Sequence, residues 1–224
     1  LTGPGGCGKT SVIKYFAKQY KYRFKIGVTS TTGISALLIN GTTLHSYLGI
    51  GLGKNSAEAM VTTIFKKKYL SERWKSLEIL IIDEISMLSP VLFDKLEEIA
   101  RTVRRNDKPF GGIQLILSGD FCQLPCVDSD KFCFESESWD KCIDEIVYLT
   151  DIMRQRDTNF QTCLNEIRLG DISQERTELI ESRIGKSLKN EYGIIPTKLY
   201  PLNIAVDDIN KKALRKLSKK TGIL

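Results

Sequence analysis

A glycine-rich loop at the start of the chain carries the residue types that bind nucleoside triphosphates. Residues 3–10 fit the pattern G-x-x-x-x-G-K-[ST], in which backbone N–H groups surround the phosphates. The ammonium of Lys9 is expected to neutralise charge on the β- and γ-phosphate oxygens, and the Thr10 hydroxyl to coordinate Mg²⁺. The N-terminus of a helix that starts near Lys9 would add positive charge. The predicted nucleotide-binding residues are Gly3, Pro4, Gly5, Gly6, Cys7, Gly8, Lys9, Thr10 and Ser11.

A pair of carboxylates follows an apolar run further along the chain. Residues 79–82 are all Ile or Leu, and Asp83 and Glu84 come directly after them, as expected of a buried strand that delivers acids to a sheet edge. Asp83 is predicted to hold Mg²⁺ through water, and Glu84 to take a proton from the attacking water. The alternatives are a chance glycine-rich turn at residues 3–10 and a core strand with an incidental acidic turn at residues 80–84. Each is disfavoured because the other nucleotide motif is also present. Together the two motifs predict a nucleoside triphosphatase.

Polar side chains follow two other predicted strands. Gln123 lies in residues 118–125, and its amide is able to hydrogen-bond both a γ-phosphate oxygen and the attacking water. Residues 29–33 and 42–46 are hydroxyl-rich turns, which suit sugar-phosphate contacts that carry no sequence information. Helix capping by these hydroxyls, and a structural role for His45, stay open as alternatives.

Strand-like and helix-like segments alternate, which predicts a parallel α/β sheet. Ser89 and Pro90 predict a helix start, and Leu92, Leu96, Ile99 and Val103 form its apolar stripe. Between Gly49 and Trp74 the alternation stops, as in a functional excursion or a disordered loop. The predicted strands are Phe24–Thr29, Leu77–Ile82, Ile113–Leu117, Ile146–Leu149 and Lys198–Tyr200, and further predicted helices are Lys9–Tyr20, one around Phe160–Ile167 and Ala205–Lys219.

Composition limits the classes of protein. The 33 basic and 27 acidic residues give a net charge of +6, which suits a polyanionic partner as well as it suits ordinary solvated charge. The six cysteines predict reduced intracellular thiols, and a zinc cluster of Cys122, Cys126, Cys133 and Cys142 is disfavoured because a C-x-x-C pair is missing. No apolar run approaches the ~18 residues of a membrane helix. Since the sequence starts just before the loop and without Met, we expect a piece of a longer protein.

The ordered set of motifs resembles the petite-integration-frequency family of ATP-dependent DNA helicases, in superfamily 1. The matching segments are GPGGCGKT (3–10), TLHSYLGIGLGK (43–54), IIDEISML (81–88), PFGGIQLILSGDFCQLP (109–125), MRQRD (153–157), LNEIRLG (164–170) and LYPLNIAVDDIN (199–210). A second proline usually follows Leu124-Pro125 in the family, and this chain has Cys126 there. That departure is expected to loosen the turn that carries Gln123.

The resemblance implies a RecA-like ATPase domain over residues 1–150, a wedge subdomain at about 50–75 that contains Lys66, and the start of a second RecA-like domain over 151–224. It implies that Gln123 senses the γ-phosphate and that Arg154 touches it from the second domain. The residues implied along the DNA track are Thr31, Thr32, Gly33, Thr43, His45, Phe110 and Gly111.

The same resemblance implies a monomeric motor for genome maintenance in the nucleus or mitochondrion. Such a motor hydrolyses ATP with Mg²⁺, moves 5′ to 3′ on single-stranded DNA, and unwinds forked duplexes, G-quadruplexes or RNA–DNA hybrids. The family's later motifs are missing here, so the 224 residues alone are expected to bind nucleotide weakly and to turn it over slowly. The alternatives are a P-loop switch or loader ATPase without translocation, and a DNA-binding module with a vestigial site.

Overall fold

The computed structural model describes residues 1–186 and 197–221 of the chain. The chain divides into two compact units, Leu1–Thr177 and Glu178–Leu224. The first unit contains the sheet and all of the candidate site residues. The division into domains at residue 150 stays a prediction.

The sheet of the first unit is parallel, as the alternation of segments predicts. Its strands, within the described residues, are β1 (Ile26–Ser30), β2 (Thr42–Thr43), β3 (Ile79–Asp83) and β4 (Gln114–Ser118), in the order β2-β1-β3-β4. Every residue of β3 is buried, as expected of a central strand that is covered on both faces. The register places Thr43, Ser30, Asp83 and Ser118 side by side at the carboxyl ends of the four strands. This row of strand ends, here called the carboxyl edge, positions the candidate site.

The predicted strand Ile146–Leu149 is reduced to a bridge in the structure. Thr2 donates its N–H to the Val147 oxygen at 2.8 Å and accepts from the Leu149 N–H at 2.8 Å. Because its described ladder partner is the single residue Thr2, the segment forms a bridge and not a strand. Thr2 also bridges to Gly119, so the start of the nucleotide loop is held next to the end of β4.

Ten α-helices lie in the described residues. Helix α1 (Lys9–Tyr20) has both predicted bounds, and α6 (Pro90–Arg104) begins where local signals predict. Helix α6 begins where the Ser89 side chain accepts from the Leu92 N–H and Pro90 takes the first helical position, and it ends at Arg105, which has a left-handed φ of 53°. The predicted stripe of α6 is buried. The helices are α1 (Lys9–Tyr20), α2 (Gly33–Leu38), α3 (Leu44–Leu48), α4 (Ala57–Lys66), α5 (Lys68–Ser76), α6 (Pro90–Arg104), α7 (Trp139–Cys142), α8 (Thr158–Leu169), α9 (Gln174–Glu181) and α10 (Asn203–Thr221).

The interruption predicted between Gly49 and Trp74 consists largely of α4 and α5, so a disordered loop is wrong there. Met60 and Ile64 of α4 and Trp74 of α5 are buried in the same core as the apolar stripe of α6. The Trp74 Nε1 donates to the Leu48 oxygen at 3.0 Å, which satisfies the polar group of the buried indole. These two helices therefore belong to the core of the first unit, and their role as a wedge stays a prediction.

Arg104 at the end of α6 forms hydrogen bonds with three segments of the chain. Its guanidinium donates to the oxygens of Trp74 at 2.7 Å, of Leu77 at 2.7 Å and of Gly111 at 2.6 Å. The end of α5, the start of β3 and the turn before β4 thus share one partly buried cation. Burial lowers the pKa of this guanidinium.

The described part of the second unit is helical. Helix α10 contains the predicted helix Ala205–Lys219 and extends beyond it at both ends. The strand predicted at Lys198–Tyr200 is wrong, because these residues have no neighbouring strand among the described residues and Leu199 is 92% exposed. No helix in the described ranges is long and apolar enough to cross a membrane.

Candidate functional site

The nucleotide loop has the backbone that its glycines make accessible. Gly6 has a φ of 86° and Gly8 a φ of 95°, values that L-residues with a side chain rarely adopt. Gly8 is the N-cap of α1, and no side chain forms a capping hydrogen bond at this end of the helix. The N–H groups of the first turn are therefore left without a side-chain acceptor. The Lys9 ammonium donates to the Gly3 oxygen at 2.6 Å and to the Pro4 oxygen at 3.0 Å. The predicted phosphate-binding lysine therefore lies against the inner side of the loop.

The two predicted carboxylates lie at the end of β3. Asp83 is buried, and its Oδ2 accepts from the Ser35 hydroxyl at 3.1 Å. Glu84 follows with a left-handed φ of 57°, and its carbonyl accepts from the Thr31 hydroxyl at 2.9 Å. The left-handed backbone of Glu84 ends β3 in a sharp turn.

The pKa of Glu84 depends on burial and on the charges of other site residues. Its pKa is raised by burial first and by the charge of Asp83 next; the Lys9 ammonium opposes this shift, and the charge of Asp120 adds to it. A carboxylate with a raised pKa is closer to the range in which it accepts a proton near neutral pH. The interaction also shows that Lys9 and Asp120 lie near enough to influence Glu84.

Two residues predicted to bind Mg²⁺ carry hard oxygen ligands. Asp83 offers a buried carboxylate at the carboxyl edge and Thr10 offers a hydroxyl in the first turn of α1, which suits an ion that takes a few protein oxygens, water and substrate phosphates. Among the described residues no three His, Cys, Asp or Glu side chains gather as a metal cluster. When bound, Mg²⁺ would neutralise charge on the phosphate oxygens.

Gln123 lies between the end of β4 and the nucleotide loop. Its Nε2 donates to Oδ2 of the buried Asp120 at 3.0 Å. A Cβ built on Gly5 would stand 3.6 Å from the same Nε2, so the amide borders the loop. The structure therefore brings the predicted sensor next to the predicted phosphate-binding residues.

Arg154 also lies against the loop. The Met153 N–H donates to the Gly6 oxygen at 2.9 Å, and a Cβ on Gly6 would stand 2.7 Å from the Arg154 Cβ. Arg154 is exposed, so its guanidinium is free to turn towards a bound phosphate. Arg154 belongs to the same compact unit as the loop, Leu1–Thr177, whereas the resemblance implies that it reaches the site from a second domain.

Arg168 and Asp120 are site residues that the sequence reasoning misses. Arg168 Nε lies 2.7 Å from Asp120 Oδ2, and Arg168 Nη2 lies 2.8 Å from Asp120 Oδ1. Both residues lie inside matched segments, LNEIRLG and PFGGIQLILSGDFCQLP. Only those segments hinted at them, because a pair 48 positions apart leaves no spacing signal.

The residues predicted along a DNA track lie where β1 and β2 end. The Thr32 hydroxyl accepts from the Ser35 N–H and caps α2, and the Thr43 hydroxyl accepts from the Ser46 N–H and caps α3. The capping alternative is therefore correct for both threonines, and each still keeps partial exposure. Burial lowers the pKa of the half-buried His45. Thr31, Thr32, Gly33, Thr43 and His45 gather at one end of the carboxyl edge, and their contact with DNA stays a prediction.

Phe110 and Gly111, the other residues predicted along the DNA track, are buried. The Phe110 ring is 1% exposed and packs on Phe93 with a centroid distance of 5.4 Å. A Cβ on the buried Gly111 would stand 2.6 Å from the Ala100 oxygen. The Phe110 side chain is therefore not accessible in this structure, because both positions close the core between α6 and β4, and contact of this turn with DNA stays a prediction.

Comparison with known proteins gives the chain a family. A family model described as PIF1-like helicase matches residues 1–178. Among the relatives is the ATP-dependent DNA helicase RRM3 of Saccharomyces cerevisiae, 40% identical over 96% of this chain and 31% of that protein.

Solved structures are similar over nearly the whole chain. The Pif1 helicase from Candida albicans has a TM-score of 0.91 and 39% identity, over 96% of this chain and 50% of that one. The Pif1 helicase from Bacteroides in complex with ADP-AlF3 and single-stranded DNA has a TM-score of 0.82 and 30% identity, over 95% of this chain and 52% of that one. These similarities confirm the predicted fold class, a RecA-like parallel α/β sheet flanked by helices.

The chain is shorter than the proteins that it matches. It spans 44% of the length of the first curated relative and 31% of the length of the next two. The activity of the whole protein is therefore a matter for proposal.

Proposed function

Because the chain belongs to the PIF1-like helicase family, we propose that it provides the ATP-hydrolysing motor part of a DNA helicase. One observation carries the proposal. The carboxyl edge brings the acids after β3, Gln123 after β4 and the hydroxyl turns after β1 and β2 into one row, next to the nucleotide loop. Ligands of open α/β sheets bind at this edge.

In the proposed reaction, the loop N–H groups and Lys9 hold the phosphates of ATP. Thr10, and Asp83 through water, would hold the Mg²⁺ ion, which would neutralise charge on the phosphate oxygens. Glu84 accepts a proton from the attacking water, which its raised pKa favours, and the Gln123 amide orients that water. Arg154 places positive charge on the γ-phosphate as the bond to the leaving oxygen breaks.

We further propose that single-stranded DNA lies along the hydroxyl turns at the ends of β1 and β2. The Bacteroides relative is described in complex with single-stranded DNA, which supports such a partner for this chain. The finer expectations follow the resemblance: 5′-to-3′ movement of a monomer, unwinding of forked or structured DNA in genome maintenance, and a location in the nucleus or mitochondrion.

The test is ATP turnover by the intact protein with and without single-stranded DNA. We expect DNA to raise kcat, and Lys9→Ala to abolish turnover in both conditions because the γ-phosphate loses its charge partner. Turnover that DNA does not change would instead indicate a P-loop switch or loader ATPase.

The direction of movement is tested with two forked duplexes that differ only in which strand carries the single-stranded tail. Unwinding of the fork with the 5′ tail, and not of the fork with the 3′ tail, is the expected result. Equal unwinding of both, or unwinding of the 3′-tailed fork alone, would contradict the proposed polarity.

A further inference from the structure

Helix α8 holds the segment that carries Arg154. The Gln161 side chain, in the first turn of α8, donates its Nε2 to the backbone oxygens of Ile152 and Gln155, one on each side of Arg154. The position of this segment over the nucleotide loop therefore depends on the position of α8.

The same helix reaches the segment that carries Gln123. Arg168, near the end of α8, meets Asp120 with two parallel N–H bonds, the geometry in which guanidinium and carboxylate bind most strongly. The Asp120 side chain is 1% exposed and that of Arg168 is 23% exposed. A buried carboxylate in such a place needs a cation, because an unpaired charge is strongly destabilised there.

Each carboxylate oxygen of Asp120 accepts two hydrogen bonds. Its Oδ1 accepts from the Cys122 N–H at 3.1 Å as well as from Arg168, and its Oδ2 accepts from Gln123 Nε2 as well as from Arg168. Burial alone would raise the pKa of Asp120, but the bonds from Arg168, Cys122 and Gln123 hold it below its ordinary value. Asp120 is therefore an ionised group that only accepts hydrogen bonds.

This charge decides which way the Gln123 amide points. An acceptor-only carboxylate binds the NH₂ side of the amide and repels its oxygen, so Nε2 faces Asp120 and Oε1 is left for another donor. A water that attacks the γ-phosphate is such a donor. Were Asp120 to lose its charge, the opposite amide orientation would become equally accessible.

We infer that Arg168 is a positioning residue for ATP hydrolysis: through Asp120 it fixes the orientation of the Gln123 amide, and through α8 it joins Gln123 to the segment of Arg154. The inference rests on the proposed function, in which Gln123 orients the attacking water. Arg168 itself does not touch the nucleotide in this mechanism.

The first test is Arg168→Gln in the intact protein. Misplacing the water-orienting group should lower kcat for DNA-stimulated ATP turnover by about 10²-fold while KM for ATP and the affinity for Mg²⁺-ADP stay unchanged. Affinity for ADP–aluminium fluoride, which mimics the transferred phosphoryl group, should fall together with kcat. Arg168→Lys should recover part of kcat, since an ammonium restores the charge but not the fork.

A double variant separates positioning from general damage. If Arg168 acts through Gln123, then adding Arg168→Gln to Gln123→Ala slows turnover by far less than Arg168→Gln slows the unmodified protein. The matched control is Arg176→Gln, because Arg176 pairs with Glu166 of α8 at 4.0 Å and not with Asp120. This control should keep the kcat of the unmodified protein.

The outcomes separate the inference from the function beneath it. Unmodified protein without DNA-stimulated turnover would defeat the proposed function. Normal turnover by Arg168→Gln, fully additive losses in the double variant, or a loss that Arg176→Gln reproduces would defeat the inference and leave the function standing. If Arg168→Gln fails to fold, the nearly isosteric Asp120→Asn decides, since it removes the carboxylate charge through which Arg168 acts on the Gln123 amide and must show the same selective loss of kcat.

Discussion

At the scale of single residues, Glu84 combines an unusual backbone with the proposed role of base. Its φ of 57° lies in the left-handed region, and its carbonyl accepts a hydrogen bond from the Thr31 hydroxyl. We predict that Glu84→Gln keeps Mg²⁺-nucleotide binding and loses hydrolysis, because the amide keeps the shape but does not accept a proton. Equilibrium binding of a fluorescent nucleotide and single-turnover hydrolysis measure the two effects. Unchanged hydrolysis in the variant would remove Glu84 from the mechanism.

The environment of Glu84 also predicts a pH dependence. Burial and the charge of Asp83 raise its pKa, with Lys9 opposing them, and only the ionised carboxylate accepts a proton. Hence kcat/KM for ATP, which reports the free enzyme, should rise with pH through that pKa, and its acidic limb should lie above the range of ordinary glutamates. The profile of kcat/KM against pH measures this limb. A plateau that continues down to the range of exposed glutamates would contradict the assigned base.

Single residues also mark the limit of what the sequence predicts. Lys9, Asp83 and Glu84 are predicted from the sequence because short spacings tie each of them to a loop or a strand end. The pairing of Arg168 with Asp120 is missed because the fold, and not the spacing, brings them together. The DNA-contacting role of Phe110 comes only from the family resemblance, and no local signal in the sequence shows that the structure buries its ring at the end of α6.

At the scale of elements, α4 and α5 are part of the core of the first unit. Trp74 is fully buried and bonded to the Leu48 oxygen, so Trp74→Ala should lower the free energy of unfolding by about 3–5 kcal/mol. Urea unfolding, followed by two probes to check two-state behaviour, gives this value.

Tyr69 provides the matched control on the same helix. It is 58% exposed, so Tyr69→Ala should change the free energy of unfolding by no more than about 0.5 kcal/mol. Equal effects of the two substitutions would mean that α5 is not anchored in the core.

The elements also differ in how far local signals define them. The predicted bounds of α1 are correct because a glycine-rich loop precedes it, and the start of α6 is correct because Ser89 and Pro90 are local signals. The predicted strand Ile146–Leu149 depends on a partner strand, and so does Lys198–Tyr200. Because strand pairing depends on residues far away in the sequence, local patterns alone did not predict these two segments correctly.

At the scale of the whole molecule, the net charge of +6 and the hydroxyl turns favour contacts with the DNA backbone. We predict that the affinity of the intact protein for single-stranded DNA falls steeply with salt and depends little on base sequence. Fluorescence anisotropy with oligonucleotides of different sequence but equal length, at several salt concentrations, measures both. An affinity that is independent of salt would mean that the basic excess is ordinary solvated charge.

The contact between Gly6 and Arg154 has a consequence for how this protein is able to change over generations. Gly6 is constrained twice, by its φ of 86° and by the Arg154 Cβ that occupies the place of a side chain. The first constraint comes from the backbone conformation of the nucleotide loop, and the second from the packing of the segment that carries Arg154. In a genetic selection for soluble expression alone, with no demand for ATP hydrolysis, Gly6 would therefore still be retained.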